Sequence, residues 1–462
     1  MTTVSTHLAD PADHARAPQD RGLQPVLGVV GAVLLTISCI TPASSLFIIV
    51  PTLLASQGSG VVLTLLAGVG VSLCVGACYA ELGTRTPSSG GEYAMVTHTL
   101  GRRVGWITFV LTAALLVVIP PVIALGTADY LAPIVHLDRA ATGAFVMLLA
   151  TATGVLDIKA NAVVTSCFLA VETVAAAVVA YLGFSHAERP VSTLVHPHAL
   201  DGGALSPFTL GVLMSGLSVA MFVANGFGTA SYLAEEIVEP RTNVARAVFA
   251  SLLVGSSIII VPTIATVLGV GGLGDLGTGT FPDFVTAWSN ERVSAAISVG
   301  IAVAILNAVI VMVLQNGRVI YASGRDQAWP APVNRALTRL HPRFGSPVLA
   351  TLVVAIPGAV LAYLVDIESL LGVTAVIVSA VYLLLAVAAL TVRRGPHPGW
   401  RMPLWPLPSV LVILAVGYAL LESSSQDLLI TGGLVAAALA YDVLYLRPRR
   451  ESRFLVDAKE DR

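Results

Sequence analysis

Charge is scarce in this chain. Only 11% of its 462 residues are Asp, Glu, Lys or Arg, against 56% hydrophobic residues and a mean hydropathy of +0.85. That composition excludes a soluble domain and calls for a polytopic membrane protein. The net charge of −2 carries little information beside the placement of the basic residues, and no nucleic-acid partner is expected. Cysteine is equally sparse. Cys39, Cys74, Cys78 and Cys167 all lie in apolar runs, which excludes a disulfide framework, and Cys74 and Cys78, although on one helix face, lack the His or acidic neighbours of a zinc site. His186, His196 and His198 also lack such partners, so neither metal nor cofactor is expected. No nucleophile stands beside a base outside the loops, so the chain does not read as an enzyme. Residues 1–22 lack the apolar core of a signal peptide and read as a mobile cytoplasmic tail.

What is present is a series of apolar runs long enough to cross about 30 Å of hydrocarbon. They fall at 26–55, 61–83, 104–133, 140–157, 160–184, 207–233, 244–270, 293–317, 347–365, 368–392, 403–421 and 427–446, which makes twelve spans. With the N-terminus inside, 22 of the 25 basic residues fall on the cytoplasmic side and only Arg139, Arg189 and Arg292 outside. Such a bias places both termini in the cytoplasm of a cell-membrane protein.

Two of these spans are interrupted. In the sixth, Asn225, Gly226 and Gly228 break the apolar run ahead of the acidic cluster Glu235, Glu236 and Glu239. In the first, a polar centre from Thr36 to Ser45 contains Pro42, which removes an amide donor and clashes with the turn before it. A break near Cys39 to Pro42 and a restart at Ser44 are expected, with the amides of Ser44, Ser45 and Leu46 free at a new helix N-terminus suited to an anion. Close packing by small residues and a simple proline kink are the ordinary alternatives. Unwound backbone in a bilayer is tolerated only where protein or a water-filled cavity surrounds it. Spans 1 and 6 occupy corresponding places in two five-span halves, and an odd number of spans per half inverts one half relative to the other.

The link after span 2 contains Tyr79, Ala80, Glu81, Leu82 and Gly83, then Pro87, Ser88, Gly90, Gly91, Glu92 and Tyr93, then Gly105 and Trp106. This pattern resembles that of the amino acid/polyamine/organocation (APC) permeases. Ser231, Leu233, Ala234, Glu235, Glu236, Pro240, Asn243 and Arg246 match the family's sixth helix, and Arg318, Tyr321, Ala322, Arg325, Asp326 and Pro330 its segment after helix 8. The resemblance implies an all-α membrane protein with an inverted repeat of helices 1–5 (23–184) and 6–10 (207–392), two further helices (403–446) and a cytoplasmic tail (447–462). It also implies a substrate between the unwound parts of helices 1 and 6. Its carboxylate would meet helix 1 amides, its amine would meet helix 6 carbonyls, and an aromatic, Phe222 or Phe227, would close over it. The site expected on that basis comprises Thr41, Ala43, Ser44, Ser45, Leu46, Phe222, Asn225, Gly226, Phe227 and Gly228. Two departures from the family pattern bear on the substrate class: Ala43, Ser44, Ser45 and Leu46 replace the usual Gly-Ser-Gly, and Gly228 stands where an acid is frequent.

An ionisable residue deep in a span is a functional candidate by default. Glu172 lies mid-span in FLAVETVAAA; it is expected to carry a coupling proton, with a neutral hydrogen-bonded role or contact with a substrate amine as alternatives. Span 8 carries Asn307 without a nearby Ser/Thr pair, which argues against a sodium site. Glu81, Arg85, Glu235, Glu236, Arg325 and Asp326 flank the inner span ends and are expected to pair into a cytoplasmic gate, or else to form a solvated rim. The expected activity is secondary transport of a small amino acid or related amine, by proton symport or by exchange; a polyamine or organic-cation importer is the further alternative, disfavoured by the lack of acids in spans 1, 6 and 8. A channel would need rings of pore-lining charges or carbonyl motifs, which are missing, and a sensor would need a soluble output domain.

Overall fold

The computed structural model describes residues 27–85, 90–132, 134–154, 158–234, 236–342, 346–392 and 399–456, side chains at 154–167 excepted. The expected tail 1–22, Pro87 and Ser88, Glu235, the side chain of Cys167 and the chain beyond 456 lie outside these residues.

The chain is mostly helical. Its first part comprises α1 (Val29–Ile40), α2 (Pro42–Ser44), a widened π turn (Ser45–Ile49), α3 (Val50–Gln57), α4 (Val61–Arg85) and α5 (Gly91–Leu100). There follow α6 (Arg102–Leu131), α7 (Arg139–Gly154), α8 (Ile158–Ser185) and the short α9 (Ser192–Val195). After the strands β1 (His198–Asp201) and β2 (Ala204–Pro207) come α10 (Leu210–Val223), α11 (Thr229–Tyr232), α12 (Pro240–Gly269), α13 (Phe281–Trp288) and α14 (Glu291–Arg325). The remainder is α15 (Ala331–Leu337), α16 (Val348–Leu364), α17 (Ile367–Thr391), α18 (Leu407–Leu421) and α19 (Ser425–Tyr441).

Among the described residues seven stretches are long and apolar enough to cross a membrane, the first of them Val29–Arg85, and four shorter apolar helices lie at Arg139–Thr153, Leu210–Val223, Val348–Leu364 and Leu407–Leu421. Their outward faces carry Tyr181, Leu364, Leu414 and Leu429, each more than half exposed, as side chains bathed in lipid should be. Several helices begin on side-chain caps. Asn290 accepts from the amides of Arg292 and Val293, Asp366 from that of Ser369 and Ser424 from that of Asp427, which satisfies donors that a helix start leaves open.

The strictly all-α expectation is corrected in one place. The loop after α8 contains an antiparallel hairpin pairing His198 with Pro207 and Asp201 with Ala204. Gly202 and Gly203, both at positive φ, make the tight turn that matches strand twist. The hairpin lies against the α3–α4 corner, where the Ser59 hydroxyl accepts from the His198 amide at 2.9 Å. This end is sealed by aromatic packing, with the Phe47 ring edge-on to Tyr130 and to Phe281 at 5.7 and 5.2 Å and the Tyr130 hydroxyl donating to the Phe47 carbonyl.

The opposite, arginine-rich end is built differently. Trp106 stacks on Phe109 and Tyr441, its indole donates to the Ala438 carbonyl at 3.1 Å, and Tyr93 donates to Asp326 at 2.9 Å. These contacts bind α5, α6, α19 and the segment after α14 into one platform. Beside it Leu27 forms a parallel bridge with Ile237, so the entrance to α1 and the exit from α11 are joined.

Candidate functional site

Both interrupted spans are discontinuous, and each break has its own form. In the first, Thr41 alone leaves the helix, at φ 47 and ψ 66, and Pro42 already opens the next turn. The restart therefore comes two residues before the expected Ser44, because proline at a first helical position has its φ preset and has no amide to satisfy. The Thr41 carbonyl accepts from the Ser45 amide at 3.1 Å, and the Ser45 hydroxyl reaches the Ile40 carbonyl at 3.4 Å. The Ser45 amide, expected to be free, is thus used within the chain.

In the second break, α10 stops at Val223, and turns carry the chain to α11. Among the described residues the carbonyls of Val223, Ala224 and Asn225 accept no backbone hydrogen bond. Gly226 crosses helix 1 here at φ +111, and a Cβ on it would lie 2.9 Å from the Cys39 oxygen and the Ile40 backbone. Only glycine supplies both that conformation and that approach.

Between the two breaks lies a cavity of about 680 Å³ that extends to the arginine-rich end. Thr41, Ser45, Phe222, Asn225, Gly226 and Gly228 line it; Ala43, Ser44, Leu46 and Phe227 are buried behind its walls. Phe227 instead packs between Tyr79 and Tyr382, at 5.6 and 6.1 Å, and Tyr382 accepts a hydrogen bond from the Asn225 amide group at 3.1 Å. The wall beside the breaks is apolar. Leu115, Leu116, Ile119 and Ile123 recur at helical spacing along α6, and Ile49, Met312, Val378 and Val381 face them. The charged lining residues among those described, Glu92, Glu236, Arg318 and Arg325, belong to the arginine-rich end.

Glu172 lies outside this lining. It is 5% exposed on α8, its carboxyl takes a hydrogen bond from the Ala43 amide, and its Oε2 atom and the Ser44 hydroxyl have no hydrogen-bond partner. The expected gate residues divide into two groups. Glu81 accepts from the Met402 amide at 3.3 Å and Arg85 donates to the Val392 carbonyl, so both hold α4 to the link between α17 and α18. Glu236 and Arg325 stand in the cavity, and Arg325 lies 3.8 Å from the neighbouring Asp326; Glu235 falls outside the described residues.

Sequence reasoning missed a carboxylate clamp. Glu92, at the start of α5, accepts from the Tyr79 hydroxyl at 2.6 Å and from the Tyr232 hydroxyl through its other oxygen. It thereby joins α4, α5 and α11. Burial pushes the Glu92 carboxyl up from its ordinary value, and the Tyr79 hydroxyl pulls it partly back. The two glycines before Glu92 were the available signal: Gly91 has φ +60, and a Cβ there would fall inside the Tyr232 ring. For Tyr382 no local pattern marked a site.

Comparison with known proteins gives the family. An uncharacterized transporter of Mycobacterium tuberculosis is 27% identical, over 92% of this chain and 93% of its own length. The branched-chain amino acid permease BcaP of Bacillus subtilis is 23% identical, over 81% and 82%, and a human cationic amino acid transporter 24%, over 82% and 61%. The family model described as amino acid permease matches residues 27–427. A polytopic helical chain with two broken spans around one cavity, matched over that length, belongs to the amino acid permease family of the APC superfamily.

Proposed function

We propose that this amino acid transporter carries a neutral α-amino acid with an apolar side chain, by alternating access and with a proton as coupling ion. The observation that carries the substrate class is the apolar wall of α6 and α17 beside the breaks, with the charged lining residues confined to the other half of the cavity. A cationic side chain would lose its hydration there without a counter-charge. The free carbonyls at 223–225 suit the substrate ammonium, because a half-helix C-terminus is the negative end of its dipole. The carboxylate lies toward the Thr41 and Ser45 side of the cavity, and Phe222 covers the ligand.

In this reading the twelve spans are the seven long stretches and the four shorter helices, with Val29–Arg85 counted as two. The arginine-rich end is cytoplasmic by the positive-inside rule. The cavity then faces inward, and the Phe47–Tyr130–Phe281 cluster closes the outer path. Glu172 is the coupling carboxyl, since it is buried on α8 with an unpartnered Oε2 in an apolar span, where an ionisable residue is a functional candidate by default.

Uptake by proteoliposomes tests both parts. Leucine, isoleucine or valine should accumulate under an inward proton gradient, with lysine and putrescine excluded. Glu172→Gln should lower gradient-driven accumulation by about tenfold or more, which corresponds to about 1.4 kcal/mol, while sparing exchange of labelled for unlabelled substrate. Accumulation unchanged in that variant removes Glu172 from the coupling, and uptake of lysine in preference to leucine removes the substrate class.

A further inference from the structure

The chain beyond α19 turns back onto the arginine-rich end. Residues 447–452 are exposed, yet Phe454 is only 2% exposed. Its ring sits edge-on to Trp106 at 5.3 Å and tilted against Tyr93 at 6.1 Å. The backbone around it is held as well. The Phe454 amide donates to the Gln327 carbonyl at 3.3 Å and the Leu455 amide to the Asp326 carbonyl at 2.9 Å. Arg453 donates to the side-chain oxygen of Gln327 at 3.1 Å, and Arg102 donates to the carbonyls of Arg450, at 2.6 Å, and Arg453. Residues 450–456 thus bridge the start of α6 and the end of α14.

Two features mark this as a seat that empties rather than a part of the core. Among the described residues Phe454 is the one buried side chain from 447 to 456, so a single ring carries the apolar part of the contact. Phe454 and Gln327, joined by a hydrogen bond, are both left-handed, at φ 51 and 58, a conformation that residues other than glycine hold only where their surroundings impose it. The seat also leads to the cavity. Tyr93, against the Phe454 ring, lines the cavity and donates to Asp326, and the residue before it, Glu92, holds Tyr232 just beyond the helix 6 break.

We propose that residues 450–456 are a strap that docks on the aromatic platform and, while docked, holds the cavity open at the arginine-rich end. A seated strap and a cavity that extends to that end occur here together, and a segment that binds one state of a two-state element shifts the population toward that state. With the strap out, α5 loses the contact behind Tyr93 and the mouth closes for more of the time. This control acts on access and is the same whichever amino acid is carried.

Two measurements on the purified full-length protein test the strap, and neither uses a substrate. The first is the rate at which trypsin cuts the Arg453–Phe454 bond, whose carbonyl Arg102 holds in the docked strap. Phe454→Ala should speed that cut about tenfold or more, because cleavage follows the population of the open form, and Phe454→Leu, which keeps an apolar side chain, should speed it less. The second is access to Cys39, which lines the cavity and is partly exposed. It is read as the rate of modification by a water-soluble charged methanethiosulfonate, with the matching Cys39→Ser variant as the blank for other thiols. That rate should fall about threefold or more in Phe454→Ala as the open population drops. Arg102→Gln releases the Arg450 and Arg453 carbonyls without touching the ring and should move both rates in the same directions, by less. Equal cleavage of wild type and both variants overturns the strap. Faster cleavage with Cys39 modified as fast as in wild type, or faster, also overturns it, since the segment would then be a brace with no hold on the mouth. Should Phe454→Ala fail to fold, Phe454→Leu and Arg102→Gln decide by the same two rates.

Discussion

The two broken helices solve the same problem in opposite ways. Helix 1 departs from helical geometry at one residue, Thr41, and its neighbours reabsorb the disturbed backbone through the Ser45 amide and hydroxyl. Helix 6 unwinds between Val223 and Thr229 and leaves three successive carbonyls without backbone donors among the described residues. The first break spends the Ser45 amide and hydroxyl on its own backbone; the second is open and depends on outside support. Gly226 lets it rest on helix 1, the Asn225–Tyr382 hydrogen bond ties it to α17, and the Glu92 clamp holds Tyr232 just beyond it. Backbone left unsatisfied in a bilayer is expensive, and here the expense coincides with the cavity. The open break is the half of the site that offers acceptors to a ligand.

The sharpest way to break this contrast is Gly226→Ala. The added methyl meets the Cys39 and Ile40 backbone at 2.9 Å from a φ of +111, and neither segment can retreat without opening the crossing. Strain and overpacking together should cost about 3 kcal/mol. Thermal denaturation should show a drop in melting temperature of several degrees, and ligand binding should be lost. A variant with wild-type stability and affinity would mean that the crossing is not a close contact.

Thr41→Gly probes the other break and should do much less. A left-handed β-branched residue costs about 1–2 kcal/mol, whereas glycine adds about 0.5–1 kcal/mol of chain entropy to be lost on folding. The two effects nearly offset, so stability should stay within about 1 kcal/mol of wild type. A loss as large as that of Gly226→Ala would show that the Thr41 side chain supports the break and that the Ser45 amide and hydroxyl alone do not.

These differences explain what the sequence could and could not disclose. Apolar runs and Pro42 mark spans and a break, because membrane thickness and a missing amide act locally. The exact restart was misplaced by two residues because the choice between Pro42 and Ser44 depends on whether a left-handed Thr41 is tolerated, which is a tertiary matter. The hairpin at 198–207 was hidden in a polar loop whose Gly202-Gly203 pair was its only turn signal. Thr41, Asn225 and Gly226 line the cavity, since the breaks carry them. Ala43, Ser44 and Leu46 do not, because which way a single turn after a break points is set by packing against α8, α12 and α14. Tyr382 and Arg318 reach the cavity from distant helices, and no spacing rule links them to residues 41 or 225.

The smallest expected effect is also the one that separates support of the open break from its chemistry. Glu92 accepts from Tyr79 and Tyr232, and burial raises its carboxyl above the ordinary value of 4.5. The folded protein therefore holds this proton to higher pH than the unfolded chain does, so the unfolded state binds fewer protons in the interval and stability falls as pH rises. The contribution is fully present below pH 4.5 and is lost as pH climbs through the raised folded value. Glu92→Gln keeps a carbonyl acceptor and an amide group for the two phenols but cannot titrate. Its melting temperature should lack the downward slope that wild type shows above pH 4.5, while Thr41→Gly should retain it. If the slopes of wild type and Glu92→Gln coincide, the clamp is not the titrating group, and the support of helix 6 must be sought in Asn225 and Tyr382 alone.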